Sequence, residues 1–124
     1  PEHLGAIVGL VKIYIIKEEK EKIDPLIDTL LSRLYNPNAL KEIADLAFHH
    51  QLYALAIQIY GKMLDINPEH VDALVNVATC YARAGDYQAA LHGYKAAYKL
   101  DPQNKMLLKN MAAFNKIVTN ELET

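Results

Sequence analysis

Side chains that could carry chemistry are few and scattered along this chain. A nucleophilic hydroxyl needs a base beside it in a shaped site, yet the only serine, Ser32, sits among apolar residues spaced as in a helix. Two metal ligands share a helix face when they are three or four residues apart. The histidines His3, His49, His50, His70 and His92 offer no such pair. His49 and His50 are adjacent and point about 100° apart on a helix. Gly5, Gly9, Gly61, Gly85 and Gly93 are isolated, so no glycine-rich loop can cradle a phosphate, although Gly5 and Gly9 are spaced for close helix packing. Cys80 has no second cysteine to pair with, and its neighbours Thr79 and Tyr81 supply no cation to lower its pKa. It is expected to be a small buried side chain. No catalytic, cofactor-binding or metal-binding residue is therefore expected, and the chain itself is not expected to be an enzyme.

The charge balance narrows the partners. A net charge of -2, with Lys and Arg spread along 124 residues, makes no field that would gather nucleic-acid phosphates or an anionic membrane. Glu18, Glu19 and Glu21 alternate with Lys17, Lys20 and Lys22, the pattern of a solvated helix end. The longest apolar run, Leu4 to Ile16, is interrupted by Lys12 and is too short to span a bilayer, so a core helix explains it. With no secretory signal visible, a cytoplasmic location is expected. The start at Pro1 without Met suggests a fragment of a longer protein or a processed product.

The elements that position these residues repeat. Laid one on the other, 37–70 and 71–104 agree without a gap, matching Ala39 with Ala73, Leu40 with Leu74, Ala44 with Ala78, Tyr53 with Tyr87, Ala56 with Ala90, Tyr60 with Tyr94 and Pro68 with Pro102. Within each copy apolar residues recur at three and four, as one face of a helix requires. Two amphipathic helices per copy are expected, broken near Gln51 and at Gly85-Asp86 and closed by Asn67-Pro68 and Asp101-Pro102. Ala44, Ala56, Ala78 and Ala90 let paired backbones approach closely. Tyr53, Tyr60, Tyr81, Tyr87 and Tyr94 fall on positions that pack between helices, which leaves no stacking platform for bases.

At these positions the chain resembles the tetratricopeptide repeat family. The second copy carries the pattern as Leu74, Val77, Ala78, Tyr81, Ala90, Tyr94 and Pro102, with Gly85-Asp86-Tyr87 at the turn. The first reads Leu40, Ile43, Ala44, Ala47, Ala56, Tyr60 and Pro68, with Ala47 in place of Tyr. The resemblance implies an all-α fold, a right-handed α-solenoid of antiparallel helix pairs with about seven helices. One domain over 1–124 is expected, with a degenerate repeat at 3–36, repeats at 37–70 and 71–104, and a closing helix at 105–122. In the degenerate repeat Ile7, Leu10, Val11 and Tyr14 open the first helix. Leu26, Ile27, Leu30, Leu31 and Leu34 form the second, begun by Asp24 as N-cap and Pro25 in its first turn. Ile7 and Ile27 stand further apart in the chain than Leu40 and Ala56 do, so the first helix is expected to be extended or its turn long. In the closing helix Leu107, Leu108, Met111, Phe114, Val118 and Leu122 form the packing stripe, with Met106, Ala113 and Ile117 widening it.

The resemblance also implies where a partner sits. In a solenoid the first helix of every pair lines the inner, concave face. The inward positions not used for packing are Asn38, Lys41, Asp45 and His49, then Asp72, Val75, Asn76, Thr79 and Arg83, then Met106, Lys109, Asn110 and Ala113. Their mixed polar chemistry suits a peptide or helix of a partner protein. Lys41, Asp45, Asn76, Thr79, Arg83, Lys109 and Asn110 are the expected contacts. Some family members hold a chaperone's C-terminal carboxylate with a fixed Lys-Asn, Asn, Lys-Arg set. Lys41 and Asn76 match that set, but Asp45, Met106 and Asn110 depart from it, so this function is not expected. The alternatives are an assembly element, self-associating through the last helix, and an accessory domain of a larger protein whose activity lies elsewhere.

Overall fold

A computed structural model describes residues 3–123, with side chains through Asn120. Pro1 and the side chain of Leu122 lie outside the described residues. The described residues form seven helices and no strand: α1 (Leu4–Ile16), α2 (Lys20–Arg33), α3 (Pro37–His49), α4 (Tyr53–Ile66), α5 (Val71–Arg83), α6 (Tyr87–Leu100) and α7 (Lys105–Glu123). They belong to two compact units, Pro1–Ile66 with α1 to α4 and Asn67–Thr124 with α5 to α7.

Each helix pair is built alike, and the first is no exception. Helices α1, α3 and α5 have 13 residues each, and α2, α4 and α6 have 14 each. The first turn is therefore neither long nor preceded by an extended helix. It holds three residues, Lys17 to Glu19, as do the turns after α3 and α5. All three turns close identically, with Glu18, Gln51 and Gly85 in the left-handed region at φ 58, 62 and 90. The following N–H reaches back five residues, from Glu19 to Tyr14 O, Leu52 to Ala47 O and Asp86 to Tyr81 O, at 2.9 Å each. This is the Schellman closure, which satisfies carbonyls that a helix end otherwise leaves open.

Aligned on these turns, Glu18 falls on Gln51, and Ile23, not Ile27, is the counterpart of Ala56. The spacing of Leu40 to Ala56 is then kept from Ile7 to Ile23. Ile23 is 1% exposed, so its burial draws the chain into helix from Lys20 onward, and Asp24 and Pro25 lie inside α2 instead of starting it. Pro25 removes one intrahelical N–H there. Four other helices, α3, α5, α6 and α7, have side-chain caps: Asn36, His70, Asp86 and Asn104 accept from the N–H of Ala39, Ala73, Ala89 and Leu107.

Only glycine enters the left-handed region without a steric cost. Gln51→Gly is therefore expected to stabilise the fold by about 0.5–1 kcal/mol, and Gly85→Ala to destabilise it by about 1 kcal/mol. Urea unfolding curves of the two variants measure both, and equal signs would contradict the turn assignment.

Small residues sit where paired helices meet. Ala44, Ala56, Ala78 and Ala90 are all fully buried. Between α5 and α6 the backbones come close at Gly93, where an added Cβ would stand 2.9 Å from Ala78 Cβ. Gly5 and Gly9 do not mark such an approach within the unit, since an added Cβ meets nothing within 4 Å at either.

Candidate functional site

The polar residues expected on the first helices fall into two groups, one in each unit. On α3, Lys41 donates to Asp45 Oδ2 at 2.5 Å, and the other carboxylate oxygen accepts from the Tyr60 hydroxyl of α4. His49 Nδ1 lies 2.7 Å from the Asp45 backbone oxygen, one turn back. The side-chain oxygens of Asp45 are thus engaged within the unit, and Lys41 is held against them.

The second group spans α5, α6 and α7. Thr79 Oγ1 donates its one proton to Val75 O at 2.9 Å, closing back on its own helix. The Tyr94 hydroxyl, 2.8 Å away, must then be the donor to Thr79, and Asn110 Nδ2 of α7 donates to the same oxygen at 3.1 Å. One threonine oxygen therefore ties three helices together and has no capacity left. Above it is a cleft of about 90 Å³ lined by Thr79, Arg83, Asn110, Ala113, Phe114 and Ile117, among others. Arg83 is exposed in the last turn of α5, a favourable place for a cation. Asn76 is half-buried on α5 and Lys109 exposed on α7, and neither lines the cleft.

Two expectations change here. Val75 is not an inward surface residue: it is fully buried in the cluster with Leu107 and Phe114, because α7 covers that side of α5. Leu108 does not join the packing stripe of α7, being 43% exposed, while Leu107 and Phe114 are buried and Met111 and Val118 pack on the same cluster.

The tyrosine hydroxyls were the residues that sequence reasoning missed. Tyr60 to Asp45 and Tyr94 to Thr79 are the same bond one repeat apart, 15 residues in each case. The repeat phase held that signal, since both tyrosines and both partners share it. Burial raises the Tyr94 pKa, against the lowering effects of the Thr79 bond and Arg83.

Cys80 is fully buried beside this network, and burial pushes its pKa up from 9.0 to about 12, with Arg83 opposing weakly. The native thiol thus keeps its proton where an unfolded thiol loses it. Its contribution to stability is complete below the unfolded pKa and declines as pH rises from about 9 toward 12. Iodoacetamide is expected to label Cys80 in the native protein only at the rate of unfolding. Labelling as fast as in urea would contradict this burial. Among the described residues no three His, Cys, Asp or Glu side chains are grouped to hold a metal ion, and no helix is long and apolar enough to cross a membrane.

Paired helices of constant length, closed by a single helix, define an all-α helical-repeat protein of the solenoid class. Residues 47–92 match the family model described as tetratricopeptide repeat. Solved structures share the fold. A MamA variant superposes over 98% of this chain and 90% of its own at a TM-score of 0.63 and 16% identity. A tetratricopeptide repeat protein from Parabacteroides merdae does so over 94% and 46% at 0.66 and 19%. PcrH from Pseudomonas aeruginosa does so over 93% and 91% at 0.60 and 15%. In sequence, the chain is 35% identical over 83 residues to stress-induced-phosphoprotein 1 of Caenorhabditis elegans, covering 67% of this chain. It is 29% identical over 93 residues, 75% of its length, to the DnaJ homolog subfamily C member 7 homolog of Dictyostelium discoideum. It spans only 24% and 16% of those two proteins. The chain belongs to the tetratricopeptide repeat family, whose members are in general protein–protein interaction modules.

Proposed function

We propose that the chain binds a segment of another protein on the face of α5 and α7, with Arg83 and Asn110 as the principal contacts. The observation that carries this reading is the cleft over the Thr79–Tyr94–Asn110 network. Its floor is fixed by hydrogen bonds from three helices, and its rim combines a guanidinium, an amide and the apolar Ala113 and Ile117. A preorganised floor lowers the entropy cost of binding. The guanidinium suits a carboxylate or backbone carbonyl of an extended or helical segment, and Ile117 suits an apolar side chain beside it. Thr79 acts by positioning Asn110, its own oxygen being filled. Lys109 and Asn76 extend the polar surface along α7 and α5. Lys41 and Asp45 of the first unit, paired with each other, offer a second contact.

Affinity capture from a lysate with the parent chain beside an Arg83→Glu, Lys109→Glu variant tests the proposal. The expected result is a protein held by the parent and lost by the variant, with helicity unchanged in both. A protein held equally by both would overturn the assignment.

A further inference from the structure

We propose that the groove between α2 and α4 docks a helix of a partner protein, one with an apolar stripe flanked by lysines or arginines a turn apart. This does not depend on the cleft on α5 and α7. Both walls belong to the first unit, in which α2 packs on α1, α4 on α3, and α1 on α3. The second helices of the two pairs thus stand side by side across a groove. It consists of two hollows, of about 580 and 480 Å³, that meet at Gln58.

The floor of the groove is apolar. Ile23 and Leu55 are buried there, and Leu31 and Ile57 are half-buried. Gly61 lines it too, and nothing stands within 4 Å of a Cβ added at that position. Helices α2 and α4 have 14 residues each, so the groove is about 20 Å long, or about four helical turns. A helix laid in an apolar groove is a recurring mode of recognition.

Charge decides which helix fits. The rim carries Asp24 and Asp28, one turn apart on α2, and Asp65 on α4, all exposed. None of the three enters an ion pair or a side-chain hydrogen bond among the described residues. Of the two cations on the rim, Lys20 stands at one end, and the Lys62 ammonium is taken up by the Tyr35 ring, 3.8 Å from its centroid. Packing within a helix pair does not ask for these aspartates. Aligned on the turns, the counterparts of Asp24 are Ile57 and Leu91, and those of Asp28 are Gly61 and Lys95. A cationic pair one turn apart on the partner meets Asp24 and Asp28, while its apolar stripe covers Leu31, Leu55 and Ile57. Exposed ion pairs add little affinity, so the apolar contact holds the helix and the carboxylates select it. An acidic helix of the same shape is turned away by like charge.

Fluorescence anisotropy with two synthetic helices of the length of α2 tests the proposal. Both carry leucines along one face; one has lysines flanking them a turn apart, and the other has glutamates at the same places. The parent chain is expected to bind the lysine helix at least about tenfold more tightly than its glutamate twin, with backbone amide shifts in α2 and α4. Asp24→Lys with Asp28→Lys is expected to reverse that order, with the circular dichroism of the parent. If that pair perturbs the fold, Gly61→Gln, which puts a side chain into the groove, takes its place and is expected to weaken the lysine helix about tenfold. Arg83→Glu with Lys109→Glu is expected to bind it as the parent does, which separates this groove from the cleft on α5 and α7. No binding of either helix, or equal binding of both, overturns the proposal. So does binding that survives the groove substitutions or is lost with Arg83→Glu and Lys109→Glu. Shifts of α2 and α4 that follow the concentration of the chain alone would place a second copy in the groove and overturn it as well.

Discussion

Tyr94→Ala is expected to lower the stability of the second unit by about 3–5 kcal/mol, the range for removing a buried aromatic ring. The ring is 1% exposed and lies 5.4 Å from the Phe114 ring, tilted against it. Truncation empties the space in which α5, α6 and α7 meet, and it also removes the donor to Thr79. Tyr94→Phe separates the two effects. It keeps the ring, leaves Asn110 on the Thr79 oxygen, and should cost about 0.5–1.5 kcal/mol, the net worth of one neutral hydrogen bond. For a domain of this size a loss of about 4 kcal/mol lowers the melting temperature by about 15 °C. Denaturant titration with two probes measures both variants. Similar losses for Phe and Ala would mean that the hydroxyl, not the ring, holds the helices.

Gly93→Leu is expected to destabilise by about 2–3 kcal/mol despite the better helix propensity of leucine. At this position a Cβ would already stand 2.9 Å from Ala78 Cβ and 3.4 Å from its Cα, so α5 and α6 must separate to admit a side chain. Overpacking costs of this kind exceed the propensity gain of about 1 kcal/mol. Gly61→Ala is the opposite case, since nothing lies within 4 Å of the added atom. It should stabilise by about 0.5–1 kcal/mol, because glycine in a helix interior loses more backbone entropy than alanine does. Urea unfolding of the two variants should give opposite signs. A Gly93→Leu variant as stable as the parent would contradict the close approach of α5 and α6.

What was legible in the sequence was whatever the repeat phase carries from one copy to the next. Gly85, Pro68, Pro102 and the paired alanines mark turns and contacts by residue type, and the helices begin and end where those residues require. The first repeat was harder because its marks are absent. Ile23 stands where the other copies have alanine, Glu18 where the second has glycine, and Pro25 suggests a helix start in the middle of α2. Its turn was recovered only from backbone geometry, which the residue types hide. Of the candidate contacts, the repeat phase alone brings Thr79, Arg83 and Asn110 to one side, and these three line one cleft. The bonds that organise it were not legible, because a tyrosine at a packing position gives no sign of where its hydroxyl points. The burial of Val75 is hidden for a related reason: which side of α5 is covered depends on α7, not on α5 itself.

Binding of a protein segment on the face of α5 and α7 is tested most directly by mapping backbone amide shifts. The segment used is the one cut from the partner captured by the parent chain, added to isotope-labelled protein. The expected shifts cluster at Thr79, Arg83, Asn110 and Ile117, and disappear in the Arg83→Glu, Lys109→Glu variant. Shifts confined to α2, α4 or α6, with this face unchanged, would contradict binding there.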